Sequence, residues 1–167
     1  MVDISVVNVV ASASVGIDLD LQEISNQLDE LEYDPDRFPG AICRVKEPKT
    51  AILFFRSGKI VCTGARSLEN VRMVIDMMMK KLRDINIMVD ESPEITVQNI
   101  VATADLGTDL KLNVIAISLG LEKVEYEPEQ FPGLVYRVES PKVVALLFSS
   151  GKVVCTGAKK IDDIELA

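Results

Sequence analysis

Apolar residues along this chain change their period from block to block, and the changes mark out its elements. Residues 4–10 (ISVVNVV) and 95–101 (ITVQNIV) are almost continuously apolar and rich in β-branched side chains, which predicts strands. Leu21, Ile24, Leu28 and Leu31 then recur at helical spacing, so an amphipathic helix is expected there, capped by Asp20 with Glu23 three residues on. Leu112, Ile115 and Leu119 mark its counterpart. After each Phe-Pro-Gly, three short strands are predicted, separated by EPK or SPK and by SGK, whose residue types favour turns. Ser67 opens a second helix running to about residue 84, with Val71, Val74, Ile75, Met78 and Leu82 inward and Met73, Met77 and Met79 broadening the stripe as core filler. In the second half only IDDIELA follows Lys159-Lys160, so the last helix is expected to be truncated or absent: either the sequence is cut short, which is the favoured reading, or the second half leaves apolar sheet surface uncovered.

Those blocks are two copies of one unit. YDPDRFPG recurs as YEPEQFPG, and FRSGKIVCTGA as FSSGKVVCTGA, both at an offset of 93 residues (Phe38 to Phe131, Phe55 to Phe148). VVNVVASASVG matches VQNIVATADLG at an offset of 91 (Asn8 to Asn99), so the second copy carries two extra residues in its first helix or the following loop. The domain organisation expected is residues 1–91 and 92–167, the second copy missing most of its closing helix.

Two helices per copy can cover only one face of a sheet, and the other face should then be polar in a protein alone in water. It is not: AILFF (51–55) and VALLF (144–148) are apolar at both parities. In the next strand Ile60 and Cys62 belong against the helices, which turns Val61 and Thr63 outward, with Val154 and Thr156 in the repeat. If SGK is a three-residue loop, Phe55 pairs with Val61 and Leu53 with Thr63 on the open face; a two-residue loop pairs Phe55 with Ile60 and buries it. Asn8 and Asn99 are single amides inside β-branched runs. Each needs a partner, because an unpaired buried amide costs about 1–3 kcal/mol; nearby backbone would serve, and a repeat-matched pair also suits a two-fold site.

Composition narrows the chemistry. The 167 residues, 48% of them hydrophobic, permit one ordinary domain or two small ones with a real core. No apolar run approaches the ~20 residues that span a bilayer, and no leader pattern opens the chain, so an intracellular soluble protein without membrane partners is expected. Cys43, Cys62 and Cys155 match neither a zinc knuckle nor a redox pair and are expected to be free, buried thiols. With no histidine and no clustered nucleophile and base, neither a metal, a cofactor nor an enzyme is expected. The net charge of −8 runs against the basic footprint usual in nucleic-acid binders.

QNIVA-like openings, YxPxxFPG, R-V-x-x-P-K and SGK-x-V-x-TGA, each present twice between about residues 4 and 160, together resemble the conserved core of the TATA-binding proteins. FPG in both halves and the acidic balance resemble archaeal members. The resemblance implies an α+β saddle of two pseudo-symmetric β-α-β-β-β-β-α repeats: a curved ten-stranded antiparallel sheet, helices on the convex face, double-stranded A·T-rich promoter DNA under the concave face. By it, Phe38 with Phe55 and Phe131 with Phe148 become wedges at two base steps, buttressed by Pro39 and Pro132. Asn8, Asn99, Thr63 and Thr156 would reach minor-groove acceptors, and Val10, Val101, Val61, Val154, Leu53 and Leu146 would lie flat on sugars and base edges. Arg44, Arg137, Lys49, Lys142, Ser57, Ser150, Lys59, Lys152 and Gln98 would meet the backbone. The gathering of these cations on one face would answer the charge problem. The resemblance further implies that the acidic loop with Glu127 and Glu129, which matches Asp34 and Asp36 in the first half, contacts transcription factor B, with RNA polymerase recruited indirectly. A cytoplasmic, nucleoid-associated location follows. The competing expectation is a protein-interaction scaffold, or a homodimer formed without DNA, through the same apolar face.

Overall fold

The computed structural model describes residues 2–167. The first repeat runs β1 (Ile4–Ser14), α1 (Leu21–Gln27), β2 (Leu31–Tyr33), β3 (Ala41–Lys46), β4 (Lys49–Phe54), β5 (Lys59–Ala65) and α2 (Leu68–Asp84). The second runs β6 (Thr96–Asp105), α3 (Leu112–Leu119), β7 (Val124–Glu125), β8 (Leu134–Val138), β9 (Val143–Leu147), β10 (Lys152–Ala158) and α4 (Ile161–Leu166). Two compact units result, Asn8–Gln98 and residues up to Val7 with Asn99–Ala167.

In the first unit the strands lie in the order β2-β3-β4-β5-β1, all antiparallel. One parity of each strand is sealed: Cys43, Ile52, Phe54, Ile60 and Cys62 are 0–2% exposed, as are Leu21 and Ile24 of α1 and Val71, Val74, Ile75, Met78 and Leu82 of α2. Helix capping follows the sequence signals. Asp20 accepts the Glu23 N–H at 3.1 Å and Ser67 Oγ accepts the Asn70 N–H at 3.0 Å, each satisfying a donor the first turn would leave unpaired.

The expected first helix is too long. Helix α1 closes at Gln27 with Leu28 as its C-cap, and Leu31 is a buried strand residue that continues the helical spacing only by coincidence. Met79 is fully buried, but Met73 is 53% exposed and lies outside the stripe.

The second unit repeats the pattern in the order β6-β10-β9-β8-β7. Leu112 and Ala116 of α3 pack with Val124 and Leu134, and Ile115, Tyr136 and Leu147 border that cluster. Leu119 is 39% exposed, not inward as its spacing implied, because α3 ends there and Gly120 (φ 99°) turns the chain away. A short α4 does form, with Ile164 buried, but it has 6 residues where α2 has 17. Accordingly Ala145, Leu147 and Val153 are only half-buried, whereas their counterparts Ile52, Phe54 and Ile60 are sealed.

Candidate nucleic-acid interface

The face opposite the helices carries the residues singled out in the sequence. In β4 and β5, Ala51, Leu53, Val61 and Thr63 alternate with the sealed positions and are half-buried, as are Phe55 and β1 residues Asn8 and Val10. Leu146, Val154, Thr156, Asn99 and Val101 match them in the second unit. Val61 pairs with Leu53 and Thr63 with Ala51, so both expected registers are corrected. The loop is Arg56-Ser57-Gly58: Phe55 N–H donates to Lys59 O at 3.0 Å, and Gly58 closes the turn with φ +88°. Three-residue hairpin loops place glycine at such a position. Lys59 therefore belongs to the strand, and Phe55 stays on the open parity.

At the end of each hairpin two aromatic rings meet edge to face. The Phe38 and Phe55 centroids are 5.8 Å apart at 63°, and those of Phe131 and Phe148 are 5.9 Å apart at 66°. Apolar rings in such pairs gain about 0.5–1.5 kcal/mol beyond area burial, yet Phe131 remains 41% exposed. The third residue of Phe-Pro-Gly seats each pair. A Cβ on Gly40 would lie 2.8 Å from Phe38 and 3.1 Å from Phe55, and on Gly133 it would lie 2.6 Å from Phe131 and 3.0 Å from Phe148. Pro39 and Pro132 are exposed beside the rings.

The two asparagines mark β-bulges. Register shifts between Val9 and Ala11 against β5, and between Cys155 and Ala158 of β10, leaving a glycine N–H without a ladder partner. Asn8 Oδ1 accepts the Gly64 N–H at 2.7 Å, and Asn99 Oδ1 accepts the Gly157 N–H at 2.6 Å. The glycines sit at φ +88° and +97°, a conformation L side chains rarely adopt. The backbone partner that a buried amide requires is thus present. It takes the carbonyl end and leaves the –NH2 end of each amide as a donor; Asn99 Nδ2 donates to Thr156 Oγ1 at 3.2 Å.

The basic residues lie exposed around this apolar floor, two of them already paired. Arg44 Nη1 donates to Glu32 Oε2 at 2.9 Å and Arg137 Nη1 to Glu125 Oε1 at 2.7 Å. Lys49, Ser57, Lys59, Lys142, Ser150 and Lys152 are exposed. Arg137 and Lys142 line one depression with Val144 and Gly157; Phe148, Ser150, Lys152 and Val154 line another with Asp3, Thr103 and Asp105. Gln98 donates to Ser12 Oγ at 2.8 Å. Glu127 and Glu129 are exposed, and the loop turns on the Glu127 carbonyl, which accepts from Gln130 and Phe131.

Burial pushes the Cys62 thiol up to about 11 and raises Cys43 and Cys155, so none of the three is a nucleophile at neutral pH. Among the described residues no cluster of His, Cys, Asp or Glu could hold a metal ion, and no helix is long and apolar enough to cross a membrane. Sequence reasoning missed Gly40, Gly133, Gly64, Gly157, Glu32 and Glu125. Each was marked by recurrence: FPG and TGA occur twice, and Glu precedes Arg by 12 residues in both halves.

Comparison with known proteins agrees with this geometry. The family model described as "Transcription factor TFIID (or TATA-binding protein, TBP)" matches residues 3–85 and 94–167. The chain is 58% identical over 164 residues to the TATA-box-binding protein of Haloarcula marismortui, covering 98% of this chain and 88% of that protein. It is 56% identical to that of Archaeoglobus fulgidus, covering 98% and 90%. Among solved structures, Methanococcus jannaschii TBP superposes with a TM-score of 0.89 at 52% identity, covering 98% of this chain and 93% of that one. With β-α-β-β-β-β-α twice over, antiparallel pairing throughout each unit and paired phenylalanines on each open face, the chain belongs to the TATA-binding protein family and has its saddle fold.

Proposed function

We propose that this chain is a general transcription initiation factor that binds A·T-rich promoter DNA from the minor-groove side, kinks it, and presents it to transcription factor B and, through that protein, to RNA polymerase. Membership of a family of transcription factors, not of enzymes, supports the class. The observation that carries the mechanism is the matched pair of asparagine amides, each with its acceptor end held by a bulge glycine and its donor end on an apolar floor. In the minor groove A·T and T·A present only acceptors, while G·C adds an exocyclic donor, so amide and hydroxyl donors prefer A·T. The phenylalanine pairs supply wedges. Unstacking a base step costs a few kcal/mol, recovered through the wider contact that bent DNA allows. TATA-binding protein is itself the standard example of kinking by ~80°.

Fluorescence transfer between the two ends of a TATA duplex tests the reading, with a G·C-substituted duplex as control. Shortening of the end-to-end distance on the TATA duplex alone is the expected result; equal affinity for both duplexes would refute it. For the partner, the Asp34 carboxylate is engaged in its own loop, accepting the Asp36 N–H at 3.3 Å, whereas no such bond engages the carboxylate of its counterpart Glu127 among the described residues. Reversing Glu127 and Glu129 to lysine should abolish assembly with transcription factor B while leaving DNA binding intact. Without DNA, the half-buried apolar face offers a homodimer surface, which DNA would displace.

A further inference from the structure

The two repeats diverge at one position where the fold asks for the same thing. Ser14 Oγ accepts the Gly16 N–H at 3.2 Å at the end of β1, and Asp105 Oδ1 accepts the Gly107 N–H at 2.9 Å at the end of β6. Any short acceptor makes that turn, as the serine demonstrates. What differs is charge, and charge falls opposite a lysine in both cases: Ser14 pairs in register with Lys59, and Asp105 pairs in register with Lys152. Directly opposed residues on one face of an antiparallel pair hold their Cβ atoms about 4.5–5.5 Å apart, within reach of a side-chain ion contact. Asp105 and Lys152 also line the depression that contains Phe148, Ser150 and Val154, and Asp3 adds a second carboxylate to its wall.

We propose that Asp105 makes the second repeat the weaker holder of the DNA backbone, because its carboxylate competes with phosphate for Lys152, whereas the residue paired in register with Lys59 is the uncharged Ser14. This rests on the minor-groove reading above. Each phosphate neutralised by a cation releases counterions and steepens the fall of log affinity with log salt by about 0.9. A lysine opposed across the strands by a carboxylate of its own chain contributes less than that, so the two repeats carry unequal shares of the salt-dependent grip. Unequal grip gives the bound protein a built-in polarity that the matched phenylalanine pairs and asparagines alone would not provide. It also orders release: as salt rises, the second repeat lets go first.

A double-mutant cycle on a TATA duplex tests this, with affinity measured between about 50 and 200 mM salt. Lys59→Ala should cost more affinity than Lys152→Ala in the natural chain. In the Asp105→Ser background, which keeps an acceptor for Gly107 as Ser14 does for Gly16, the Lys152→Ala loss should grow to match that of Lys59→Ala. Asp105→Ser alone should tighten binding and steepen the salt slope by up to about 0.9, so that its advantage shrinks roughly threefold across that range; Ser14→Asp should do the reverse. Thermal melting of Asp105→Ser keeps the comparison to folded protein. Losses at Lys152 that are equal in both backgrounds, or larger than those at Lys59, overturn the proposal while leaving DNA binding intact. Failure of the natural chain to prefer the TATA duplex would instead remove the reading on which it rests.

Discussion

Replacing Asn99 by aspartate separates what its amide does for the fold from what it does for DNA, because the two side chains have the same shape. In the folded protein the new carboxylate can still accept the Gly157 N–H, which Asn99 Oδ1 takes at 2.6 Å, and Thr156 can turn its hydroxyl to donate across the 3.2 Å now spanned from Nδ2. Both contacts lie at an exposed or half-buried site, so the expected change in stability is below about 1 kcal/mol. On DNA the outcome reverses. Under the proposed minor-groove contact, a donor that meets base-edge acceptors becomes an anion facing them in a dry contact, a mismatch worth about 2–5 kcal/mol. That corresponds to a loss of roughly 30-fold to several-thousand-fold in affinity. Fluorescence anisotropy with a labelled TATA duplex, alongside thermal melting, gives both numbers from one preparation. Melting that drops while affinity stays within about twofold would refute the assignment, since the amide would then serve the bulge alone. Asn8→Asp should behave alike, through Gly64.

Three other outcomes follow from the geometry. Phe148→Ala removes the partner that Phe131 meets at 5.9 Å and should abolish DNA bending in an end-to-end fluorescence assay while the protein stays folded, losing about 0.5–1.5 kcal/mol from the ring contact plus the packing of a half-buried side chain. Glu32→Gln and Glu125→Gln break exposed ion pairs worth about 0–1 kcal/mol each, so melting should barely move, but Arg44 and Arg137 are freed for phosphate and the salt dependence of binding should steepen. Alkylation of native Cys62 should stay slow until pH approaches its raised value of about 11 and become fast on denaturation. The sign is fixed by the thiol staying protonated longer in the folded chain, so stability from this group is complete at neutral pH and lost as pH climbs toward that value.

Period and repetition made the helix-covered face legible: the inward stripe of α2 and the alternation in β5 follow side-chain burial directly. The very short β2 and β7 were not, since three residues and two residues carry too little period to distinguish from a loop, and only the family resemblance implied them. Neither the parity nor the register of Phe55 was readable, because AILFF is apolar at both parities and the choice among loop lengths depends on whether Lys59 starts the strand or ends the turn. The bulges escaped for a different reason. A backbone N–H left over by a register shift has no sequence signature of its own, and its mark is a lone Asn on one strand with a Gly more than fifty residues away. Ion pairs such as Arg44 with Glu32 depend on side-chain placement across two strands and become visible only once β2 is known to pair with β3.

The unequal helix cover of the two units bears on how each of them breathes. Beneath α2, the amides of β4 are shielded by side chains with no solvent exposure, so deuterium reaches them only through openings close to the full unfolding free energy. Behind the six-residue α4, the matching amides of β9 sit under half-buried neighbours, and smaller local fluctuations suffice. Within these 167 residues, the two hairpins with matched phenylalanine pairs therefore differ in tempo, with Phe148 on the less covered side.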